Sequence, residues 1–166
     1  MMIPANLFAA AFIFLTIYAV VSDVSRLVIP NWLPAALIVL FFLFVLFCGT
    51  TIPIGYHVFV AAAVFAGGFG MFVMNWMAGG DVKLLAAVAL WAGPAHILRL
   101  LLITSIAGAA LALLIMAGSF YVRCDGSGGA PTTLSRLFPR WIRQGLTPYG
   151  FAIGVGALAT IPTAFF

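Results

Sequence analysis

The chain has 166 residues, of which 66% are hydrophobic and 6% are charged, and its mean hydropathy is +1.28. A water-soluble domain of this size could not cover so much apolar side chain with polar surface, so the composition excludes a soluble globular protein and predicts an integral membrane protein. The net charge of +4 comes from seven basic residues spread thinly along the chain, a pattern that provides no phosphate-binding stripe and excludes a nucleic-acid partner.

Apolar runs of the sequence predict about six transmembrane helices, each of which requires about 20 mainly apolar residues. We therefore expect an all-α, polytopic integral membrane protein that forms a single domain over residues 1–166. The fourth run is short and must stop near Gly93 and Pro94. The first is expected to be retained, because no Lys or Arg precedes it as in a signal peptide. In chain order the predicted helices are Leu7–Ser22, Leu33–Cys48, Gly55–Met77, Leu84–Trp91, Ile97–Phe120 and Tyr149–Phe165.

The basic residues predict the orientation of these helices. With about six spans, every basic residue except Arg99 falls in a loop on one side of the membrane, whereas a re-entrant fourth segment would leave no useful bias. The positive-inside rule therefore favours the six-span topology, with both termini outside and a cytoplasmic loop at about residues 121–147. The basic residues on the cytoplasmic side are Arg26, Lys83, Arg123, Arg136, Arg140 and Arg143.

Two of the three acidic residues come to the same end of the bundle in this topology. Asp23 closes the first helix and Asp81 opens the fourth, both at the cytoplasmic side. A carboxylate near hydrocarbon is costly unless it is hydrated, paired or protonated, so a functional pair is favoured over two carboxylates in headgroup water. Two neighbouring carboxyls share one proton, and such a pair can activate water without a metal or cofactor.

The helix ends distinguish the two carboxyls. Asp81 begins a helix, where the positive end of the helix dipole favours the anion, and Asp23 ends one, where the negative end favours the protonated form. We predict that Asp81 carries the charge at rest and that Asp23 more often carries the proton. His57 and His96 fall on the opposite side of the membrane, which disfavours a serine or cysteine nucleophile with a histidine base.

Three segments of the sequence resemble the prepilin peptidases, the membrane aspartic proteases that process type IV and related pilins. Asp23 followed by "VSRLVIPNWL" resembles the family's first-aspartate segment. "AGGDVKLLAAVALWAGP" resembles the second, which is built on GxGD, although Ala78 replaces its first glycine, and "TPYGFAIG" resembles the closing Pro-x-Gly segment. Because the three segments occur in the family's order, the resemblance extends over most of the chain.

This resemblance implies that Asp23 and Asp81 form a catalytic dyad. It also implies a substrate, a pilin precursor whose short basic leader is removed at the cytoplasmic face of the bacterial inner membrane, just before the hydrophobic segment. Nothing matches the paired CxxC segment of longer family members, so the chain resembles the short, Flp-type or tight-adherence form, and no N-methyltransferase activity is expected. Membrane lipid and pilus or secretion assembly proteins are the other implied partners, and no cofactor or metal is implied.

Residues close to the dyad in the sequence are expected to shape the site. Asn31 is expected to cap the second helix and, with the preceding turn, to fix where Asp23 points. For Lys83, a role on lipid phosphate and a role beside one of the acids are both open. The site-shaping candidates are Gly79, Gly80, Lys83, Pro30, Asn31, Pro148 and Gly150.

Two other functions are open from the residues alone. Paired acids in a small helical membrane protein could serve a proton- or cation-coupled transporter, although transporters more often carry acids near the bilayer midplane and internal repeats. A non-catalytic subunit of a secretion machine would need neither acid. Presenilin-like GxGD proteases are disfavoured, because Ser22 and not tyrosine precedes Asp23. Cys48 and Cys124 form no CxxC pair or Cys/His cluster, so neither a zinc site nor a disulfide framework is predicted.

Overall fold

The structure, a computed structural model, describes residues 5–48, 53–125 and 147–161. Within these residues the fold is all-helical, without β-strands, as the composition predicts. The helices are α1 (Ala5–Arg26), α2 (Trp32–Cys48), α3 (Ile54–Val73), α4 (Gly79–Asp125) and α5 (Tyr149–Thr160).

The long helix α4 is broken at Gly93, whose φ of 59° and ψ of −171° are not helical. Pro94 follows the break and has no N–H to donate to a preceding helical turn. The sequence places the end of the fourth predicted helix at this Gly-Pro pair, and the structure confirms the break. α4 therefore consists of two helical segments, residues 79–92 and 94–125, which correspond to the fourth and fifth predicted helices.

The first two helices run antiparallel. Tyr18 near the end of α1 contacts Trp32 at the start of α2, with ring centroids 5.5 Å apart. Phe8 near the start of α1 contacts Phe44 near the end of α2, at 5.7 Å. The short connection between the two helices is therefore a tight reversal at the C-terminal end of α1.

α3 and the first half of α4 are antiparallel as well. His57 near the start of α3 donates a hydrogen bond from Nδ1 to the carbonyl oxygen of Leu90, at 2.8 Å. At the other end of α3, Gly68 packs so closely on Val82 that an added Cβ would lie 3.0 Å from its side chain. The absent side chain at Gly68 therefore allows α3 to lie directly against the beginning of α4.

The second half of α4 returns alongside α5. Gly108 lies beside Tyr149 at the start of α5, whereas Gly156 lies against Leu100 and Thr104. The later residue of α4 thus lies beside the start of α5, and the earlier residues lie beside a later part of α5, so these two segments are antiparallel. The helical segments thus alternate in direction along the chain, which is the order that the predicted topology requires.

The core of the bundle surrounds Trp91, close to the end of the first half of α4. Its ring lies 5.0 Å from that of Phe12, 5.5 Å from that of Phe41 and 5.6 Å from that of Phe44, measured between centroids. Its indole N–H donates to the carbonyl oxygen of Leu37 at 3.0 Å. This cluster joins α1, α2 and α4 and holds the first half of α4 in the middle of the bundle.

The outer surface of the bundle is apolar, as expected for a protein surrounded by lipid. Large side chains such as Phe14, Leu102 and Phe120 are 63–70% exposed. Three stretches are long and apolar enough to cross a membrane: Ala5–Arg26, Ile54–Val73 and Gly79–Gly118, the last of which contains the break at Gly93. Trp32–Cys48 and Tyr149–Thr160 are shorter apolar helices. These features indicate a membrane protein.

Several predicted boundaries differ from those of the structure. α3 ends at Val73 and not at Met77, because Asn75 takes a φ of 59°, a left-handed conformation that Asn tolerates at helix C-termini. α4 continues to Asp125, so the predicted loop at about 121–147 begins later. Arg123 therefore belongs to α4, whereas Arg136, Arg140 and Arg143 and the end of the sixth predicted helix lie outside the described residues.

Replacing Gly93 by alanine should destabilise the bundle. Its φ of +59° with an extended ψ is a combination almost confined to glycine, and an added Cβ would lie 2.2 Å from Cε1 of His57. We expect the midpoint of thermal unfolding in detergent to fall by at least about 5 °C. Gly55→Ala is the matched control, because no described atom lies within 4 Å of its added Cβ. Equal midpoints for the two variants would contradict the assigned break.

Candidate active site

Asp23 and Asp81 line the same cavity, at the end of the bundle where α1 ends and α4 begins. Each residue is only 5% exposed, and the cavity has a volume of about 700 Å³. The two carboxyls are close enough for the charge of one to act on the other. The sequence-based prediction that topology brings these acids to one end of the bundle is therefore confirmed by the geometry.

Asp81 is positioned by the first turn of α4. Its backbone N–H donates to the carbonyl oxygen of Ala78 at 3.0 Å, and the N–H of Val82 donates to the same oxygen at 3.2 Å. Ala78 stands where the GxGD pattern has its first glycine. Leu27 and Asn75 are the only non-glycine residues of the described chain with positive φ. Alanine at position 78 therefore introduces no backbone strain before Asp81.

Asp23 lies against the N-terminus of α5. The backbone N–H groups of Gly150 and Phe151 interact with its carboxyl, and the N–H of Phe151 also donates to the carbonyl oxygen of Pro148 at 3.2 Å. Its Oδ2 atom is buried and has no hydrogen-bond partner within the described part of the chain. A Cβ on Gly150 would lie 2.8 Å from this Oδ2 and 2.9 Å from Cγ. The absence of a side chain at position 150 is what allows Asp23 to occupy this place.

The helix dipoles therefore do not give the two carboxyls the opposite preferences for the charged and the protonated form that the sequence suggests. Asp23 belongs to the last turn of α1, but its carboxyl is directed at the positive N-terminal end of α5. Asp81 also lies in the first turn of a helix, so both carboxyls experience a positive helix end. The assignment of the proton to Asp23 loses its original basis and stays a prediction.

The turn after α1 forms one wall of the cavity. Leu27 ends the helix in a left-handed conformation with φ of 55°, while its N–H still donates to the carbonyl oxygen of Asp23 at 2.8 Å. Ser22 Oγ donates to the carbonyl oxygen of Val28 at 2.9 Å and fixes the turn to the helix end. A Cβ on Gly80 would lie 3.3 Å from that of Ile29, so Gly80 lets this turn approach α4.

Lys83 and Asn31 connect the turn to α4. Lys83 Nζ donates to Oδ1 of Asn31 at 2.9 Å across the exposed rim of the site. The predicted role of Asn31 as a helix cap is not what the structure shows, because its side-chain oxygen accepts this bond from a remote lysine. The start of α2 is instead closed by the N–H of Leu33, which donates to the carbonyl oxygen of Pro30 at 3.1 Å.

Removing the Lys83–Asn31 bond should weaken catalysis modestly and leave the fold intact. An exposed hydrogen bond contributes on the order of 1 kcal/mol, so we expect Lys83→Met to slow precursor cleavage by about tenfold or less. The double variant with Asn31→Ala should be no slower than the slower single variant, since both remove the same bond. Rates measured with purified proteins check this. Multiplying effects in the double variant would show that the two side chains act separately.

The remaining candidates occupy less direct positions. Gly79 packs against Phe72, to which an added Cβ would approach within 3.4 Å, and Pro148 is buried immediately before α5. His57 of α3 is buried and bonds the carbonyl oxygen of Leu90, which lies nine residues after Asp81 in α4. His57 is therefore remote from the two acids, as the predicted topology requires.

Sequence reasoning missed several residues that line the cavity. Phe72, Asn75 and Trp76 come from the end of α3 and the connection to α4, and Tyr149 comes from the start of α5. Tyr149 stands inside the quoted "TPYGFAIG" segment, which is a signal that could have indicated it. The polar Asn75 and the aromatic Trp76 directly after an apolar run carry a weaker signal of the same kind. No three His, Cys, Asp or Glu side chains of the described segments come together as a metal site.

Comparison with known proteins gives one match. The model of the type IV leader peptidase family matches residues 10–113, which include both aspartates and more than half of the chain. Neither a search of characterised proteins nor a search of solved structures gives a match. The matched range begins in α1 and ends in the second half of α4, so it covers the elements that carry Asp23 and Asp81. The chain therefore belongs to the type IV leader peptidase family, a family of peptidases.

Proposed function

We propose that this protein is an aspartic endopeptidase that removes the short basic leader from a type IV or Flp-type pilin precursor. Membership of the leader peptidase family supports a peptidase acting on pilin precursors. The observation that carries the aspartic mechanism is the shared cavity, in which two almost fully buried carboxyls from different helices face the same space. A structural pair at the membrane surface would have no need of such burial.

In the proposed mechanism, the two carboxyls hold one proton between them. The ionised carboxyl accepts a proton from a water molecule as that water attacks the scissile carbonyl carbon. The protonated carboxyl donates its proton to the carbonyl oxygen, so a neutral tetrahedral intermediate forms. As the C–N bond breaks, the ionised carboxyl accepts a hydroxyl proton from the intermediate and the protonated carboxyl donates a proton to the departing amine, so the leader leaves with a carboxyl terminus and the dyad again holds one proton.

The burial of the pair also serves this chemistry. With Asp23 and Asp81 each only 5% exposed, electrostatic interactions among the reacting groups are strong. The N–H groups at the start of α5 hold the Asp23 carboxyl in place before substrate arrives. Little rearrangement of the dyad is then needed during the reaction.

We further propose that the alternating helical segments cross the bacterial inner membrane about six times, with the dyad at the cytoplasmic face. The direction of each segment, the apolar outer surface and the excess of basic residues at the Asp23 and Asp81 end support this orientation. The scissile bond of a precursor lies where its leader meets the bilayer, which is the depth at which this orientation would place the dyad. No N-methyltransferase activity is proposed, and pilus or secretion assembly proteins are proposed only as downstream partners.

The test is cleavage of a pilin precursor by the purified protein in liposomes. We expect one cut, located by mass spectrometry immediately before the hydrophobic segment, with an unmethylated new N-terminus. Cleavage at that bond by protein-free liposomes would invalidate the assay. Intact precursor after prolonged incubation with folded protein would contradict the proposal, and proton or cation flux would then be measured.

A further inference from the structure

A second cavity, of about 400 Å³, lies beside the catalytic one. It is a groove between the end of α3 and the second half of α4, with Leu85 of the first half of α4 contributing to its floor. The wall from α4 includes Leu101, Ser105, Ala109 and Ala112, which recur every three or four residues and therefore form one face of the helix. From Leu101 to Ala112 this face is about 16 Å long.

The groove adjoins the catalytic cavity. Trp76, Met77 and Tyr149 line both spaces, so these three residues form the border that the catalytic cavity and the groove share. The catalytic cavity contains the carboxyls of Asp23 and Asp81, whereas the groove is lined mainly by Met, Leu, Gly and Ala residues. A single chain segment passing from one to the other would thus change from polar to apolar at the dyad.

Met71 lines the groove from α3. Small residues on the α4 wall, such as Ala109 and Ala112, allow another helix backbone to approach this wall closely, which is how helices associate within lipid.

We propose that this groove receives the apolar segment that follows the scissile bond, in helical form, and so places the bond over the dyad. The proposal rests on the proposed function, because it assumes that a precursor is cut at this cavity. The shared border favours the substrate over a lipid chain or a second copy, since only a precursor cut at the dyad must extend from one space to the other. Ala109 is exposed and lines the groove, so a larger side chain at this position would narrow it.

The experiment uses two neighbouring alanines of α4. Ala109 lines the groove, whereas Ala110 is also exposed but does not line it. Each is replaced in turn by the photo-crosslinking amino acid p-benzoylphenylalanine, in an Asp81→Asn background that retains precursor. After irradiation of membranes that also contain precursor, adducts are mapped by mass spectrometry. We expect position 109 to crosslink to the precursor's apolar segment at least about tenfold more than position 110, because benzophenone reacts only with groups in contact.

A kinetic arm measures the same contact. Ala109→Phe should slow cleavage of the full precursor by roughly tenfold to a hundredfold, because a displaced segment misplaces the scissile bond. A short substrate that ends a few residues after that bond should be cut at the wild-type rate. Ala110→Phe should leave both rates unchanged.

The outcomes separate the groove from the proposed function. Cleavage by wild type without a precursor adduct at position 109, or with equal adducts at both positions, overturns the groove and leaves the peptidase standing. Adducts at position 109 with only lipid or a second copy also overturn it. A specific precursor adduct without any cleavage by wild type supports the groove as a binding site and overturns the peptidase.

Discussion

Asp23→Asn and Asp81→Asn are each expected to reduce precursor cleavage by on the order of 10³-fold or more, since proton transfer by a positioned carboxyl contributes roughly 10²–10⁴-fold and both members of the dyad transfer protons. Asparagine has almost the same shape as aspartate but cannot accept or release the proton at neutral pH. Cleavage is measured with purified proteins at matched concentrations, so that a change in abundance cannot imitate a change in rate.

Both variants should remain folded. Asparagine fills the space of either carboxyl and leaves a single titratable group in the cavity, so the thermal midpoint should not fall below that of wild type. Asp125→Asn is the matched control, because it changes the only other acidic residue in the sequence and should cleave at the wild-type rate. Near-normal cleavage by either dyad variant would refute the mechanism, whereas loss in all three would indicate a general effect of removing negative charge.

Gly150→Ala is expected to be the most damaging substitution outside the dyad. Its new Cβ would lie 2.8 Å from Oδ2, 2.9 Å from Cγ and 3.0 Å from Cβ of Asp23, distances that require the carboxyl or α5 to move. A displacement of about 1 Å at a catalytic group can cost roughly 10²-fold in rate, so we expect a loss of about that size in cleavage. The measurement is the cleavage rate together with the thermal midpoint.

Gly154→Ala provides the comparison that separates catalysis from packing. One turn further along α5, its added Cβ would lie 2.1 Å from a methyl group of Val20 and would not touch Asp23. This overpacking should cost about 1–3 kcal/mol of stability and should reduce cleavage less than Gly150→Ala does. If the loss of cleavage in Gly150→Ala and Gly154→Ala were proportional to the loss of stability in each, Gly150 would have a packing role only. Gly55→Ala, with open space around its Cβ, should change neither quantity.

Local sequence features were sufficient for the positions of the helices and of the break. Hydrophobic length, the Gly93–Pro94 pair and the distribution of basic residues act within one segment or between segment and lipid, so they could be evaluated without knowing which helices touch. The end of α3 was misplaced because the left-handed turn at Asn75 competes with an apolar run that continues to Met77. That competition is decided by packing around the turn.

The sequence by itself determined that the chain is a helical membrane protein, that Asp23 and Asp81 lie at one end of it, and that its motifs resemble those of prepilin peptidases. Only the tertiary structure decided that the Asp23 carboxyl faces the N-terminus of α5, that Asn31 bonds Lys83 and does not cap α2, and that an apolar groove adjoins the site. The physical reason is that these contacts join helices remote in sequence. Their geometry depends on how closely small residues such as Gly150 let those helices approach, which no hydrophobic pattern within a single helix contains.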